Sequence, residues 1–458
     1  MKYISTRNNS KEYSFEQVFI KGLADDGGLF IPKNIIRFKE EELNSMSKLS
    51  YQDLAQKIIF PFIGNFMLET ELSNIIKKSY SIFRKKEVVN IIQIGDTNVL
   101  ELFHGPTLAF KDIAMQLLGN FYDYHLNKKD KKINVIVATS GDTGAAAIDA
   151  IKGKKNMNIF VLHPLNKVSI IQRKLMTTIK DRNVFNIAIE GNFDDCQNLV
   201  KSMFSDKEFS KSINMSGVNS INWARIIAQT VYYFYTYFLL KSNKPLNFSV
   251  PTGNFGDVYA GYLSKKMGLP INKLIVATNQ NDILHRAISK GKYESQNVFE
   301  TISPSMDIQI ASNFERLIYD LNNCEDHQTK NIMLGIKKEG KYIIPKEKLE
   351  KMKSFFLSTS MNEVEILNTI KEIYKKYEII LDPHSAIGFG ALKKVKINGN
   401  NVVLATAHPC KFPDAINKSI NLKPNLPDEL KSILQEKEIF KIIPKNLDVI
   451  KQYINSKI

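Results

Sequence analysis

Six short runs of apolar, often β-branched residues recur along the chain, and small-residue turns and helical patterns follow most of them. Because strands that alternate with helices are joined by crossovers, they lie parallel, with helices on both faces of the sheet. The sequence therefore predicts a doubly wound, mainly parallel α/β fold, in which ligands bind just beyond the carboxyl ends of strands. The predicted strands cover residues 133–138, 159–162, 184–189, 248–250, 274–277 and 402–405. The clearest predicted helices cover residues 144–151, 170–179 and 257–267.

Charge does not point to a nucleic-acid partner. The net charge is +16, but the 63 Lys and Arg residues are spread along the chain among 47 acidic residues. An interleaved pattern of this kind is typical of a solvated basic surface and not of a nucleic-acid-binding patch. At 458 residues with 43% hydrophobic content, the chain is long enough for two or three domains.

The absence of certain sequence features predicts the compartment of the protein and whether it binds a metal. It contains no apolar run of the roughly 18 to 20 residues that a membrane span needs, and its first residues lack the apolar region of a signal peptide. Cys196, Cys324 and Cys410 are too scattered for a disulfide framework, and Cys324 with His327 lacks a second ligand pair for zinc. We therefore expect a cytoplasmic protein with no membrane partner and no metal.

The segment IVATSGDTGAAA, residues 136–147, ends a predicted strand and opens a predicted helix. Hydroxyl groups of Thr139, Ser140 and Thr143 lie at the start of that helix, beside Asp142. Free backbone amides and the helix dipole at such a turn attract a carboxylate or a phosphate. The alternative is a helix-capping turn that binds nothing, and the spacing is not that of a Walker A loop.

A second turn repeats this layout in SVPTGNFGDVYAGY, residues 249–262. Successive backbone amides in a glycine-rich turn at a helix start can surround a cofactor phosphate without a charged side chain. A turn with no ligand is again the alternative. The residues between strand and helix are Gly253, Asn254, Phe255, Gly256 and Asp257.

Lys111 is unusual because it lies in an apolar run, ELFHGPTLAFKDIAMQ, between Phe110 and Asp112. Most lysines are solvated surface groups, but partial burial lowers the pKa of an amine and makes it available to form a Schiff base with an aldehyde.

A fourth segment, VVLATAHPCKFPDAI, places Thr406 directly after a predicted strand. A hydroxyl group there could face a bound ring. By residue type alone, His408 is more often structural and Lys411 more often a surface charge.

Taken together, the segments HGPTLAFKD, TSGDTGAA, NSINWARI, PTGNFGD and ATAHPCKF resemble the threonine synthase family in order and spacing. The N-terminal GLADDGGLFIP, residues 22–32, also resembles that family, and the likeness extends to at least Pro413. The resemblance implies two α/β domains of the tryptophan-synthase-β-like kind, fold type II of the pyridoxal-phosphate enzymes, plus a small N-terminal module. The expected bounds are 1–90 for the module, 91–132 with 211–422 for the large cofactor domain, 133–210 for the inserted domain and 423–458 for a C-terminal helical segment.

The resemblance also implies roles for individual residues. The cofactor would be pyridoxal 5'-phosphate, with Lys111 as Schiff-base lysine and as the acid and base of the reaction. Asp142 would lie near the ring hydroxyl, and Thr406 would bond the pyridine nitrogen. The cofactor phosphate would be held by Gly253, Asn254, Phe255, Gly256 and Asp257. The substrate carboxylate would be held by Thr139, Ser140 and Thr143.

The expected activity is that of a lyase in threonine biosynthesis, which converts O-phospho-L-homoserine and water to L-threonine and phosphate. Asn219, Ser220 and Arg225 in NSINWARI match the family positions that hold the substrate phosphate. A planar guanidinium suits bidentate recognition of phosphate. The expected partner is this small molecule alone, and the sequence leaves monomer and homodimer open.

The sequence departs from the resemblance at Asp142, at Cys410 and over residues 322–376, and two rival functions remain open. Asp142 stands where many fold type II relatives have Asn, and the likeness is weak over residues 322–376, a Lys- and Glu-rich region of helical pattern. One rival is another fold type II reaction, such as a dehydratase or cysteine synthase. The other is a basic protein that binds RNA, which would have no need of a buried amine.

Overall fold

The computed structural model describes residues 1–242 and 244–458. The first 80 residues form an antiparallel sheet of order β2-β1-β3, with four helices beside it. The elements are β1 (Tyr3–Ser5), β2 (Asn8–Tyr13), α1 (Phe15–Lys21), β3 (Phe30–Pro32), α2 (Glu40–Met46), α3 (Tyr51–Ile63) and α4 (Glu69–Tyr80).

The middle of the chain builds a five-stranded sheet that is parallel throughout, together with the elements that lead into it. These are β4 (Asn90–Ile94), β5 (Thr97–Glu101), α5 (Lys111–Lys129), β6 (Ile133–Ala138), α6 (Asp142–Ile151), β7 (Met157–Pro164), α7 (Ile170–Thr177), β8 (Val184–Glu190), α8 (Phe193–Ser205), α9 (Lys207–Ser212) and β9 (Met215–Ser216). Strands β6 to β9 supply four strands of this small sheet, and the fifth comes from the C-terminal end of the chain.

The remaining elements complete a larger sheet of six strands, form a separate two-stranded antiparallel sheet, and supply the last strand of the small sheet. They are α10 (Trp223–Leu239), β10 (Leu246–Pro251), α11 (Gly256–Lys266), β11 (Ile271–Thr278), α12 (Ile283–Lys290), β12 (Lys292–Glu294), α13 (Phe314–Leu321), α14 (Asp326–Glu339), β13 (Lys341–Ile343), α15 (Lys346–Phe355), β14 (Phe356–Ser360), α16 (Glu363–Tyr377), α17 (Pro383–Val395), β15 (Asn400–Ala405), α18 (Pro413–Ile420), β16 (Lys441–Pro444) and α19 (Leu447–Asn455).

Both main sheets are wound as the strand and helix pattern predicts. The large sheet has the order β14-β11-β10-β15-β5-β4, with only the β4 and β5 pair antiparallel. The small sheet has the order β16-β8-β7-β6-β9. Each of the six predicted strands falls within an observed strand, and the fold class is confirmed. The domain bounds given above stay a prediction.

Several observed strands lie outside the six predictions, and β14 and β16 extend the main sheets from regions that we expected to be helical. β14 lies in the Lys- and Glu-rich region that we expected to be helical, and it pairs with β11 at the edge of the large sheet. β16 lies in the expected C-terminal helical segment and pairs with β8 in register from Lys441 with Ile187 to Pro444 with Glu190. Neither run is long, and β16 is exposed at three of its four residues, so neither carries the apolar signal of a buried strand. Among the helices in the described ranges, none combines the length and the apolar character needed to cross a membrane.

Candidate active site

A cavity of about 760 Å³ lies where the two main sheets present the carboxyl ends of their strands. Its wall includes Ala138 from the end of β6, Pro251 from the end of β10, and Thr406, which directly follows β15. Ligands of doubly wound sheets bind at such strand ends. The predicted site residues should therefore lie around this cavity.

Lys111 is the first residue of α5 and lines this cavity. The segment before it is fixed against the end of β15, because the Phe110 amide donates to the Thr406 carbonyl at 2.9 Å. The Lys111 side chain is buried, with 9% of the residue exposed. Burial lowers the pKa of its amine, and nearby Lys411 and Arg225 act in the same direction, while Asp142 opposes them. The amine is thereby made easier to deprotonate.

Asp142 connects four side chains of the site. Its Oδ1 accepts from Lys411 Nζ at 2.6 Å and from Gln172 Nε2 at 2.8 Å. Its Oδ2 lies 3.4 Å from Lys111 Nζ and accepts from Ser305 Oγ at 3.2 Å. Burial alone would raise the pKa of this carboxyl, but Lys411 and Lys111 outweigh burial and hold the pKa well below its ordinary value. Asp142 is therefore an ionised carboxylate.

The turn before α6 leads into that helix and lies beside the cavity. The Thr139 hydroxyl accepts from the amides of Gly141 and Gly144 at 2.9 and 2.8 Å, so it stabilises the turn and does not line the cavity. Gly141 has φ of +138°, and a Cβ there would lie 2.7 Å from the Gln172 side chain, so the position favours glycine. Ser140 and Thr143 line the cavity, and their contact with a substrate carboxylate stays a prediction.

The turn before α11 lies at the same cavity, and all five residues predicted to hold the cofactor phosphate line it. Phe255 adopts the left-handed conformation at φ +63°, and its ring packs against Phe314 and Phe356 with centroids 5.3 and 5.7 Å away. A non-glycine residue in this region of φ is uncommon and is held there by surrounding structure. A Cβ on Gly253 would lie 2.7 Å from the Ser305 carbonyl oxygen, so only glycine allows this close approach.

The side chain of Asp257 does not serve as an anion ligand. Its Oδ1 accepts from the hydroxyls of Tyr232 and Tyr233 at 2.5 and 2.9 Å. Burial raises the pKa of this carboxyl to about 6, although both tyrosines act to lower it. A carboxylate would repel a phosphate, so any contribution of Asp257 to phosphate binding would come from its backbone amide.

Arg225, near the start of α10, is buried with 4% of the residue exposed and lines the same cavity. Its Nη1 donates to the Val218 carbonyl at 3.0 Å, whereas its Nε has no hydrogen-bond partner among the described residues. Burial lowers the pKa of the guanidinium to about 10, which still leaves it charged at neutral pH. Asn219 and Ser220 lie beside it in the cavity wall. Because no carboxylate in the described ranges contacts Arg225, this part of the cavity wall carries a positive charge.

Comparison with known proteins agrees with this geometry. A family profile described as threonine synthase N terminus matches residues 2–80, one described as pyridoxal-phosphate dependent enzyme matches residues 99–339, and one described as threonine synthase, C-terminal, matches residues 385–454. The threonine synthase of Pseudomonas aeruginosa is 43% identical over 460 residues, covering 99% of this chain and 98% of the relative. That of Saccharomyces cerevisiae is 43% identical over 502 residues, covering 100% and 98%. The crystal structure of PLP-bound threonine synthase from Brucella melitensis superimposes with a TM-score of 0.97 at 44% identity, covering 100% of this chain and 99% of that one.

The chain belongs to the threonine synthase family. Its activity is therefore that of a pyridoxal-phosphate-dependent enzyme, and the predicted fold type, cofactor and reaction class are confirmed. The residues present fit that cofactor. A buried amine faces the cavity, a glycine turn at a helix start offers backbone amides, and the cavity is within the size range of small-molecule sites. In the described ranges, no cluster of three or more His, Cys, Asp or Glu side chains is arranged to hold a metal.

The sequence analysis did not identify three residues that lie at or beside this site. Lys411 was expected at the surface, yet it is fully buried, donates to the Thr107 carbonyl at 2.7 Å and pairs with Asp142. Ser305 and His384 were not singled out, although both line the cavity. For Lys411 the apolar setting of CKFP was a usable signal, whereas Ser305 lies in an irregular loop with no periodic pattern.

Proposed function

We propose that this chain converts O-phospho-L-homoserine and water to L-threonine and phosphate, by γ-elimination of phosphate followed by addition of water at Cβ. The observation that carries the proposal is the buried Arg225 in the same cavity as Lys111, because its Nε has no hydrogen-bond partner among the described residues. A buried cation without an acidic partner is unfavourable unless an anion completes it. Dehydratases and cysteine synthases of this fold act at the same lysine but have no need of a second phosphate site.

The cofactor would be held by parts of the chain that need no charged side chain. The amides of residues 253–257 at the start of α11 would bind its phosphate. Thr406 would face the pyridine nitrogen, and Asp142 would lie near the ring hydroxyl. When bound, pyridoxal phosphate supplies an electron sink that stabilises negative charge on the amino-acid substrate.

Lys111 would move protons at the substrate carbons. Its amine is carried on a long side chain at the start of α5, and burial lowers its pKa, so the neutral form that acts as a base is more easily reached. The same group, once protonated, would return a proton as an acid. One amine could thereby serve Cα, Cβ and Cγ in turn.

Substrate recognition would use both ends of the molecule. Ser140 and Thr143, with the amides of the turn before α6, would hold the carboxylate, while Thr139 would act by capping that turn. Arg225, Asn219 and Ser220 would hold the phosphate. Hydrogen bonds to a charged group contribute about 1.5 to 3 kcal/mol each, which is enough to separate phosphohomoserine from homoserine by orders of magnitude.

We also propose where the enzyme acts and which partners it has. The enzyme would act on a small molecule in the cytoplasm, without a nucleic-acid or membrane partner, as a monomer or a homodimer. The dispersed distribution of its basic residues supports the absence of a nucleic-acid partner.

The test is a visible absorbance spectrum of the purified protein, followed by assays of phosphate and threonine after addition of O-phospho-L-homoserine. O-phosphoserine and threonine serve as control substrates. The proposal expects a lysine-bound cofactor band, with phosphate and threonine formed in equal amounts from phosphohomoserine alone. A cofactor band without that activity would point to a dehydratase or replacement reaction.

A further inference from the structure

Besides Asp142, a second polar side chain contacts the Lys111 amine. Ser305, in the 3-10 turn Pro304–Met306, has its Oγ 3.1 Å from Lys111 Nζ and 3.2 Å from Asp142 Oδ2. An ionised carboxylate can only accept hydrogen bonds, so the hydroxyl proton of Ser305 points to Asp142. Its lone pair therefore faces the lysine and accepts from the amine.

The position of Ser305 is itself fixed by a buried pair of residues. His384 Nε2 lies 3.3 Å from the Ser305 amide, and His384 Nδ1 lies 2.9 Å from Asp382 Oδ1. A backbone amide can only donate, so Nε2 accepts and the ring proton lies on Nδ1, facing the carboxylate. Both side chains are buried, and the ring also packs on Phe412 with centroids 4.9 Å apart.

The opposite side of the Ser305 turn is equally constrained. Its carbonyl oxygen packs so closely on the predicted phosphate turn that a Cβ at Gly253 would lie 2.7 Å from it. Asp382 also accepts from the Ser385 hydroxyl, which in turn accepts from the Thr406 amide at 3.2 Å. One buried carboxylate thus organises the turn that carries Ser305 and the backbone that carries Thr406.

We propose that Ser305 is a further catalytic residue, whose hydroxyl holds the Lys111 amine whenever that amine is not joined to the cofactor, and that His384 and Asp382 are its positioning residues. This inference rests on the proposed role of Lys111. The hydroxyl accepts from the ammonium form, so it favours that form and keeps the amine within reach of the substrate carbons after its release.

The effect of Ser305 on the ammonium form of Lys111 can be separated from the effects of the charged groups that face it. Asp142 at the start of α6 stabilises the ammonium form, whereas Lys411 from the 3-10 turn Pro409–Lys411 and Arg225 from α10 oppose it. His384 from α17 reaches the amine only through the Ser305 turn. Loss of the Ser305 hydroxyl leaves all of these charges in place and removes one hydrogen bond from the ammonium form.

The first test uses the cofactor-free protein and needs no substrate. The rate at which Lys111 captures added pyridoxal phosphate is followed against pH by the growth of the absorbance band, since capture requires the neutral amine. Ser305→Ala is expected to shift the midpoint of this profile to lower pH by roughly one to two units, the value of one hydrogen bond to a charged group. Ser305→Thr should restore most of the midpoint. An unchanged or raised midpoint in Ser305→Ala overturns the proposal.

The second test measures turnover of phosphohomoserine by the holoenzyme. Ser305→Ala is expected to lower kcat about tenfold while KM changes less than about threefold. Ser289→Ala, which removes a hydroxyl that donates to a carbonyl of its own helix α12, is the matched control and should match the parent protein. An equal loss in both variants, or a loss of the cofactor band in Ser305→Ala, contradicts a catalytic role for the hydroxyl.

The positioning role is tested by combining variants. His384→Phe removes both ring nitrogens and should lower kcat in the same direction as Ser305→Ala, and the double variant should be no worse than Ser305→Ala alone. Additive losses would show that His384 acts independently of Ser305 and overturn that part. If the parent protein forms a cofactor band but releases no phosphate, the proposed function fails, whereas the capture profile still decides the role of Ser305.

Discussion

Two buried cations line one cavity, and they differ in whether a carboxylate lies beside them. Lys111 has an ionised carboxylate, Asp142, at 3.4 Å, and that carboxylate is shared with Lys411. Arg225 contacts no carboxylate in the described part of the chain, and its Nε has no hydrogen-bond partner there. The amine that must lose its proton to react therefore lies beside a negative charge that balances its own positive charge. The guanidinium that would receive an anion is instead buried with its charge uncompensated.

Removal of Lys111 should have the largest effect. Lys111→Ala should fold, hold no covalently bound cofactor and lose activity by about ten-thousandfold, since both nucleophile and proton carrier are absent. Reduction with borohydride followed by mass spectrometry measures the covalent cofactor. Lys111→Arg, which keeps the positive charge beside Asp142, should be equally inactive. A trapped cofactor in Lys111→Ala would place the Schiff base on another residue.

Removal of Lys411 tests the compensated side of the comparison. Lys411→Met should lower the free energy of unfolding by about 3 kcal/mol, because it leaves the buried carboxylate of Asp142 with one cation fewer. Denaturant titration of the cofactor-free protein measures this loss. The control is Lys394→Met, whose partner Glu365 lies at 2.7 Å on the surface and whose removal should change stability by less than about 1 kcal/mol. Equal effects in the two variants would mean that the buried pair contributes no more than a surface one.

The uncompensated side predicts an opposite pattern. Arg225→Met should not lower the stability of the cofactor-free protein, because no carboxylate loses a partner. It should lower kcat/KM for phosphohomoserine by about ten- to a hundredfold, corresponding to one charge-assisted hydrogen bond of about 1.5 to 3 kcal/mol, while the cofactor band remains. Steady-state kinetics with spectra of the same samples give both results. Unchanged kinetics would remove Arg225 from the substrate site.

The same comparison extends to the carboxylates and gives the smallest effect. Asp142 is surrounded by cations, whereas Asp257 meets two tyrosines and has its pKa raised by burial to about 6. The folded form therefore binds a proton more tightly than the unfolded chain, whose value is about 3.9. Its stabilising contribution is complete below about pH 4 and is lost as the pH rises through about 6.

Asp257→Asn should remove this dependence. Relative to the parent protein, the variant should gain roughly 1 to 2 kcal/mol in unfolding free energy between pH 4 and pH 7, read from denaturant titrations at both pH values. A constant difference between the two proteins across this range would show that Asp257 keeps an ordinary pKa in the folded state.

The sequence predicted what depends on local pattern. All six strand predictions lie within observed strands, because their apolar runs are short and bounded by turn residues. Lys111, the two glycine turns, Thr406 and Arg225 converge on one cavity because strand ends of parallel sheets meet at one edge.

The remainder depends on contacts that are distant in the chain. Lys411 resembles any surface lysine until the fold brings Asp142 to within 2.6 Å of it. Ser305 follows no periodic pattern and becomes a site residue only because its turn packs between Gly253 and His384. Thr139 was predicted to contact substrate, but its hydroxyl caps the adjacent turn, a choice between two acceptable partners that the residue type does not decide.

Strand β16 has a consequence for the order in which the molecule can be assembled. The edge of the small sheet beside β8 is covered only when residues near the carboxyl end arrive, and the Arg173 contact with Glu438 nearby spans 265 positions of chain. During synthesis on the ribosome, β8 would therefore leave the exit tunnel long before its neighbour exists. Until then the unpaired backbone groups of β8 can pair with other nascent chains. We therefore expect folding during synthesis to depend on chaperones, although β16 covers this edge in the folded protein.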